Sequence, residues 1–203
     1  MSDNTTGARA AARVEVGMTD ADTMRALAHP ARIAVLSYLS TEGPATATEC
    51  APTAGVSPSV CSYHLRILER YGLVERAVDV PASGRERPWR ARQVGIRVET
   101  QDDPVAQMAA DLLVHSMEQR WMDVRSRFQA NKADYAEQWR PVYGTDWQVL
   151  HVTAEEAADA RRQIQDVLMS LVRVSKQDRP EGAEPVQVVV DWALMFDPAR
   201  AEG

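Results

Sequence analysis

The sequence predicts a mainly α chain with small β parts, an α+β fold in two regions. A winged helix-turn-helix domain is expected over residues 20–94, followed over 104–203 by a long helix and a strand-helix-strand unit. Three observations carry this. Residues 47–66 read as helix, tight turn, helix. Two short strand-like runs follow at once, joined by a loop holding Pro81, Ser83 and Gly84, which is the pattern of a hairpin. Further on, apolar residues recur first at helical spacing and then at every second position.

Taken in order, residues 1–19 are small and polar and predict a flexible N-terminus. Asp20 is placed to cap a first helix, Pro30 breaks it, and a second helix ends near Gly43. A short extended stretch at 45–47 leads into the next helix, which Thr48 would cap and which Pro52 would shorten by removing a backbone donor. Small Ala51 sits where two helices would touch, Gly55 can take the positive φ of the turn, and Val56 fills the corner. Ser57 is a good N-cap and Pro58 suits the first helical position, so a second helix should run to Tyr71 with Gly72 as its C-cap. Within it, Cys61, Leu65 and Leu68 share one face; Ser59, Ser62, Tyr63, Arg66 and Arg70 share the other. The first face is core and the second is free to read a duplex.

The strands of the wing are expected at 73–78 and 89–94, with 79–88 between them. Tip and return strand carry Arg85, Arg87, Arg90 and Arg92 against Glu86, and arginine is the side chain best suited to phosphate and narrow minor grooves. The expected DNA-binding set is therefore Ser57, Ser59, Ser62, Tyr63, His64 and Arg66 from the helix, with Arg85, Arg87 and Arg90 from the wing. His64 lies at the helix edge, where a phosphate contact and a place in the core are both open. A winged-helix module turned to protein contacts is the alternative to a DNA reader.

Met24-Arg25-Ala26-Leu27-Ala28-His29-Pro30-Ala31-Arg32-Ile33-Ala34-Val35-Leu36-Ser37-Tyr38-Leu39 opens a wider pattern. With Cys61-Ser62-Tyr63-His64-Leu65-Arg66-Ile67-Leu68 and Tyr71-Gly72-Leu73-Val74-Glu75, residues 20–94 resemble the ArsR family of bacterial winged helix-turn-helix repressors. The resemblance implies a cytoplasmic homodimer that binds an imperfect inverted repeat in double-stranded DNA and represses transcription. It does not supply the signal.

A net charge of −6 looks wrong for a DNA binder, but the charge is unevenly spread. Residues 1–94 hold 11 arginines and no lysine against 10 acids; residues 95–203 hold 12 bases against 19 acids. The acidity belongs to the second half, and residues 57–92 keep a local +3 that can face phosphate. Cys50 and Cys61 are too few for a disulfide framework and both fall at apolar positions of the helix-turn-helix; core packing is favoured there over a redox switch. No apolar run approaches 18 residues and the N-terminus lacks an apolar signal core, so no membrane partner is expected.

After a linker at 93–103, Pro104 looks like the first residue of a helix reaching about Ala130. Ala110, Val114, Met117, Trp121, Val124 and Phe128 form a stripe at spacings of 4 and 3 along it, which reads as a homodimer seam or as packing within one chain. Pro141 and Gly144 mark a break. Residues 147–152 read as a strand, Thr153 with Glu156 as a capping box, and Ala157, Ala160, Ile164, Val167, Leu171 and Val174 as one helical face. From Val186 to Phe196 the apolar alternation has a period of two. This β-α-β unit has too few strands to stand alone and should be completed by the wing domain, the long helix or a partner subunit. Trp121, Trp139, Trp147 and Trp192 read as core or as the walls of a pocket for a small-molecule apolar effector.

No metal or other cofactor is expected. Cys50 has no second cysteine beside it, and His115 with Glu118 matches only half of the two-His, two-carboxylate pattern of zinc-sensing relatives, whose other half would need a histidine near position 104, where Pro104 stands; Asp111, His115 and Glu118 share a helical face as solvated salt-bridge partners. No glycine-rich phosphate loop, nucleophile elbow or paired-histidine metalloprotease spacing points to an enzyme.

Overall fold

Asp20 starts the first helix, α1 (Ala21–Leu27), by accepting a hydrogen bond from the Thr23 backbone N–H at 2.8 Å. The structure, a computed structural model, describes residues 15–18, 20–80, 86–92, 95–99, 102–172 and 179–195. His29 begins α2 (Pro30–Glu42): its Nδ1 accepts from the Ala31 N–H at 3.1 Å, and Pro30 sits at the helix start, where its missing donor is harmless. Gly43, at φ +86°, ends α2.

The next helix, α3 (Ala47–Ala54), is capped two residues earlier than expected. Thr46 is the cap, because Glu49 lies three residues on and closes a capping box: the Thr46 N–H donates to Glu49 Oε2 at 2.7 Å and the Glu49 N–H to Thr46 Oγ1 at 3.3 Å. Thr48 lies inside the helix. Pro52 is accommodated in the last turn, and Gly55 follows in the left-handed region at φ +65°. Ser57 then caps α4 (Pro58–Arg70), whose C-cap is Tyr71, with Gly72 next at φ +69°. Cys61, Leu65 and Leu68 are fully buried, as their spacing requires. Each such leucine stabilises the fold by about 1.5–3 kcal/mol.

The wing is shorter than the runs that announced it. Its paired strands are β2 (Val74–Arg76) and β3 (Trp89–Ala91), antiparallel, with Val74 opposite Ala91 and Arg76 opposite Trp89. A bridge on the other side of Trp89 joins it to Ala45, N to O at 2.7 and 2.9 Å in the two directions, so the stretch before α3 is tied to the wing base. Residues expected to be flexible and residues expected to be linker meet in a second small sheet: β1 (Glu15–Met18) runs parallel to β4 (Gly95–Val98), Glu15 beside Gly95 and Met18 beside Val98. Each run is only four residues long and its partner lies 80 positions away, too little local signal for periodicity to find.

Pro104 and Asp103 start α5 (Pro104–Ala130), Asp103 accepting from the Ala106 N–H at 2.7 Å. Its first half packs on α1 and α2. Ala106, Ala109, Ala110 and Leu113 are buried in the core formed by Met24, Leu27, Val35, Leu39, Cys50 and Leu68, and Met117 packs against its edge. Ala110 and Met117 of the expected dimer stripe are thus occupied within the chain. What α5 leaves exposed is Val105, Met108 and Leu112, with Val114 of the expected stripe and Met122 further along.

Beyond α5 two 3-10 turns (Lys132–Asp134 and Glu137–Val142) lead to α6 (Ala154–Ser170). The capping box of Thr153 and Glu156 is in place, with the Thr153 N–H 2.8 Å from Glu156 Oε2. The expected β-α-β unit is not closed within the chain. Among the described residues, 147–152 and 186–195 have no strand partner, α6 buries no side chain, and no residue after Ser116 is fully buried. Alternation marks which side chains belong on one face, but a strand needs a second backbone to satisfy its N–H and C=O groups, and the described residues present none to either segment.

Candidate nucleic-acid interface

The turn between α3 and α4 sets the angle of the second helix, and the buried Cys61, Leu65 and Leu68 fix its rotation. Ser59, Tyr63, Arg66 and Arg70 are consequently exposed along the outer side, with Ser62 partly exposed between them; Tyr63 is 60% accessible. Ser57 is engaged locally: its hydroxyl accepts from the Val60 N–H at 3.4 Å and lies 3.1 Å from the Ser59 hydroxyl. Its role is to start the helix.

His64 turns inward. It is 6% exposed, its ring centre lies 4.7 Å from that of His29, and its Nδ1 is buried without a partner among the described residues. Burial first, then His29 and Arg32 nearby, hold its pKa below the usual 6.5, so the ring is neutral at pH 7. Of the two openings the sequence left for His64, the structure takes the core. Arg32 of α2, which the sequence did not single out, lies within electrostatic range of Tyr63 and Tyr71 beside the same helix. Nothing in its local spacing distinguishes it from any other helical arginine.

The arginines of the wing divide into two groups. Arg90 pairs with Asp79 across the hairpin, and that hydrogen bond holds the Asp79 carboxyl below its usual range; Arg92 pairs with Glu75 at 3.4 Å. Arg76 lies with its guanidinium 3.6 Å from the centre of the Trp89 ring and donates to the Arg87 carbonyl at 2.7 Å. These three stiffen the hairpin, and Arg90, one of the expected phosphate contacts, has its charge matched by Asp79. Arg66, Arg70 and Arg87 have no ion-pair partner among the described residues. Arg85 lies outside the described residues.

Helix and wing meet in a cleft of about 460 Å³ lined by Ala47, Ser62, Arg76, Glu86, Arg87 and Trp89. Glu86, the acid in it, is 3.4 Å from the Thr48 hydroxyl. The cleft brings the predicted Ser62 and Arg87 together across 25 positions of sequence. Cys50 and Cys61 face each other in the interior beneath, both free thiols and both fully buried; the hydrogen bond to Cys61 and then burial push the Cys50 thiol up, away from reactivity.

The other candidate sites are dispersed. On α5, Gln107 donates to Asp111 at 2.6 Å and Gln119 pairs with His115 at 2.9 Å, and among the described residues no cluster of three or more His, Cys, Asp or Glu is arranged to hold a metal ion. A second cleft, at the end of α5, is lined by Gln129, Ala130, Lys132, Ala133, Arg140 and Tyr143 and by none of the four tryptophans considered for an effector pocket. No described helix is long and apolar enough to cross a membrane.

A family described as a helix-turn-helix domain matches residues 27–77, which are α2 to the end of the first wing strand. Two solved structures of a MarR family protein from Mycobacterium tuberculosis are also similar. The complex with salicylic acid is 19% identical, over 72% of this chain and 84% of that one, with a TM-score of 0.28. The complex with p-aminosalicylic acid is 17% identical, over 72% and 86%, with a TM-score of 0.25. At that level of superposition they do not bear on what this chain binds. No curated protein matches. The family match and the fold together make residues 20–92 a winged helix-turn-helix domain of the DNA-binding kind that transcriptional regulators carry.

Proposed function

We propose that the chain is a sequence-specific transcriptional repressor of ArsR-like type that binds an inverted-repeat operator as a homodimer. The observation that supports it most is the outer face of α4, where Ser59, Tyr63 and Arg66 stand exposed beside a wing in which Arg87 has no acidic partner among the described residues. In this reading α4 enters the major groove. Arg66 has the length and the donor fork to reach guanine O6 and N7, Ser62 and Tyr63 contact neighbouring base edges, and Arg87 with Arg85 meets phosphate beside the groove. Arg70 lies at the far end of the helix, suited to backbone phosphate.

Two-fold symmetry explains why a single helix suffices, since two copies read two half-sites about one helical turn apart. The exposed Val105, Met108 and Leu112 of α5, spaced 3 and 4 apart, are a better seam than the stripe expected from sequence, of which Ala110 and Met117 are already packed inside the chain.

The test is a gel shift with random duplex and with a duplex enriched from a random pool, over a salt series. Tight binding to the enriched duplex, with affinity falling linearly in log salt, supports the reading. Absence of any salt-dependent DNA binding would leave the protein-interaction module as the better account.

A further inference from the structure

The C-terminal arm, residues 131–172 and 179–195 as described, holds well-formed local structure and almost nothing buried. Its helix is capped as firmly as α3, and Val186, Val188, Val190, Trp192 and Leu194 keep a strict alternation, so the segment is patterned for a sheet. Yet Trp147 is 82% and Leu194 81% exposed. Among the described residues between 147 and 195, fourteen large apolar side chains stand exposed. They amount to on the order of 1,000 Å² per chain, which exceeds the patches of ordinary monomers and matches the roughly 800 Å² that each partner contributes to a standard interface.

We propose that residues 147–152 and 186–195 are strands of an intermolecular sheet, formed when the arm of a second copy of this chain pairs with them and both copies of α6 cover its apolar face. The proposal rests on the homodimer reading above and specifies how the dimer is held. Three features select a second copy as the occupant. Natural strands left at an open edge are protected by charges or proline, whereas 147–152 carries no Asp, Glu, Lys, Arg or Pro and 186–195 carries only Asp191, so both are composed to be paired. A two-fold related copy brings both segments to both chains at once, satisfying the two arms reciprocally; any other partner would need two matching edges of its own. The arm also leaves its own domain at a fixed corner, where Phe128 of α5 packs on Tyr135 and Tyr143 with ring centres 5.4 and 4.7 Å away and the two tyrosines lie 5.9 Å apart. On its return it touches α2 through Arg179, whose Nη2 donates to the Thr41 carbonyl at 2.5 Å.

The experiment uses the full chain. Light scattering over a concentration series gives the mass, and amide hydrogen exchange read at 148–152 and 187–194 reports the ladder. The variant Val188→Asp/Val190→Asp, on the apolar face, is compared with Gln187→Glu on the opposite face. The expected result is a wild-type dimer whose arm amides exchange at least about 100-fold slower than free peptide. The double variant becomes a monomer with fast-exchanging arm amides and an unchanged helical spectrum, while Gln187→Glu stays dimeric. A dimer with freely exchanging arm amides, or a double variant that remains a protected dimer, overturns the exchanged arm and leaves the dimeric regulator standing. Arm amides protected in a monomer would show an arm packed on its own chain. A wild-type monomer that binds operator at single half-sites would instead remove the dimer reading itself. Should the double variant aggregate, exchange in the wild type still decides.

Discussion

The winged domain and the C-terminal arm carry equally regular apolar patterns, and the two differ in whether the chain can use them. In α4 the 3-4 spacing of Cys61, Leu65 and Leu68 ends in complete burial; in α6 the same kind of spacing leaves Val167 and Leu171 61% and 65% exposed. Both helices have side-chain caps. The difference is the presence of facing surfaces: α4 has α3, α2 and β2 against it, while α6 has no comparable contact with any described element. Helix stability in proteins comes mostly from packing of the apolar face, so the same grammar yields a core in one region and an exposed apolar face in the other.

The largest test of this contrast is truncation. Leu65→Ala should destabilise the domain by about 2–5 kcal/mol in denaturant unfolding, whereas Leu194→Ala at concentrations where the chain is monomeric should change stability by less than about 0.5 kcal/mol. Equal effects at the two sites would mean that the arm is part of the same core.

The interface offers the next test. Arg66→Ala should weaken operator binding by about 1–3 kcal/mol and relax preference at one base position, while Arg87→Ala weakens all duplexes alike and lowers the salt slope by about 1. Arg90→Ala should leave the salt slope nearly unchanged, because its charge is already matched by Asp79. An equal loss on operator and random DNA for Arg66→Ala would shift base reading to Ser62 and Tyr63.

The two capping boxes permit a matched comparison. Thr46→Ala should lower global stability by about 0.5–2 kcal/mol, and Thr153→Ala should reduce helicity by circular dichroism in the monomer without moving the main unfolding transition. A Thr153 effect on the main transition would place α6 in the cooperative unit.

The smallest effect is on pH. His64 and His29 both have folded pKa values below the 6.5 of the unfolded chain, so the unfolded state takes up protons first. Stability should therefore be unaffected above pH 7 and decline as pH falls through about 6.5 toward the lower folded values. Titrated unfolding midpoints would show it, and His64→Phe should flatten the decline if that ring is its main source.

The site was legible where its chemistry is local. Gly55, Ser57 and Pro58 announce a turn and a helix start within four residues, and the outward face of α4 follows from helical periodicity once Cys61, Leu65 and Leu68 are assigned inward. The roles of single side chains were less visible. The inward turn of His64 depends on its packing against the His29 ring, 4.7 Å away centre to centre, and the pairing of Arg90 depends on hairpin register bringing Asp79 across from it, neither of which has a fixed sequence spacing. The early cap at Thr46 is different: its capping-box partner Glu49 stood in plain sequence, and the competing Thr48 obscured it.

By itself the sequence determined the elements whose stabilising groups lie within one or two turns of each other: α1, α2, α4, α5 and α6, with the N-caps Asp20, Ser57 and Thr153, and the hairpin of the wing. Tertiary structure alone decided the pairings over long separations. The β1 and β4 strands find each other across 80 residues, Ala45 bridges Trp89, and the inward half of α5 is consumed by α1 and α2, which displaces the exposed stripe to Val105, Met108 and Leu112. The physical reason is that periodicity specifies which face of an element is apolar, whereas burial is a property of two surfaces. Local sequence can state the first, and only the folded chain, with whatever packs against it, supplies the second.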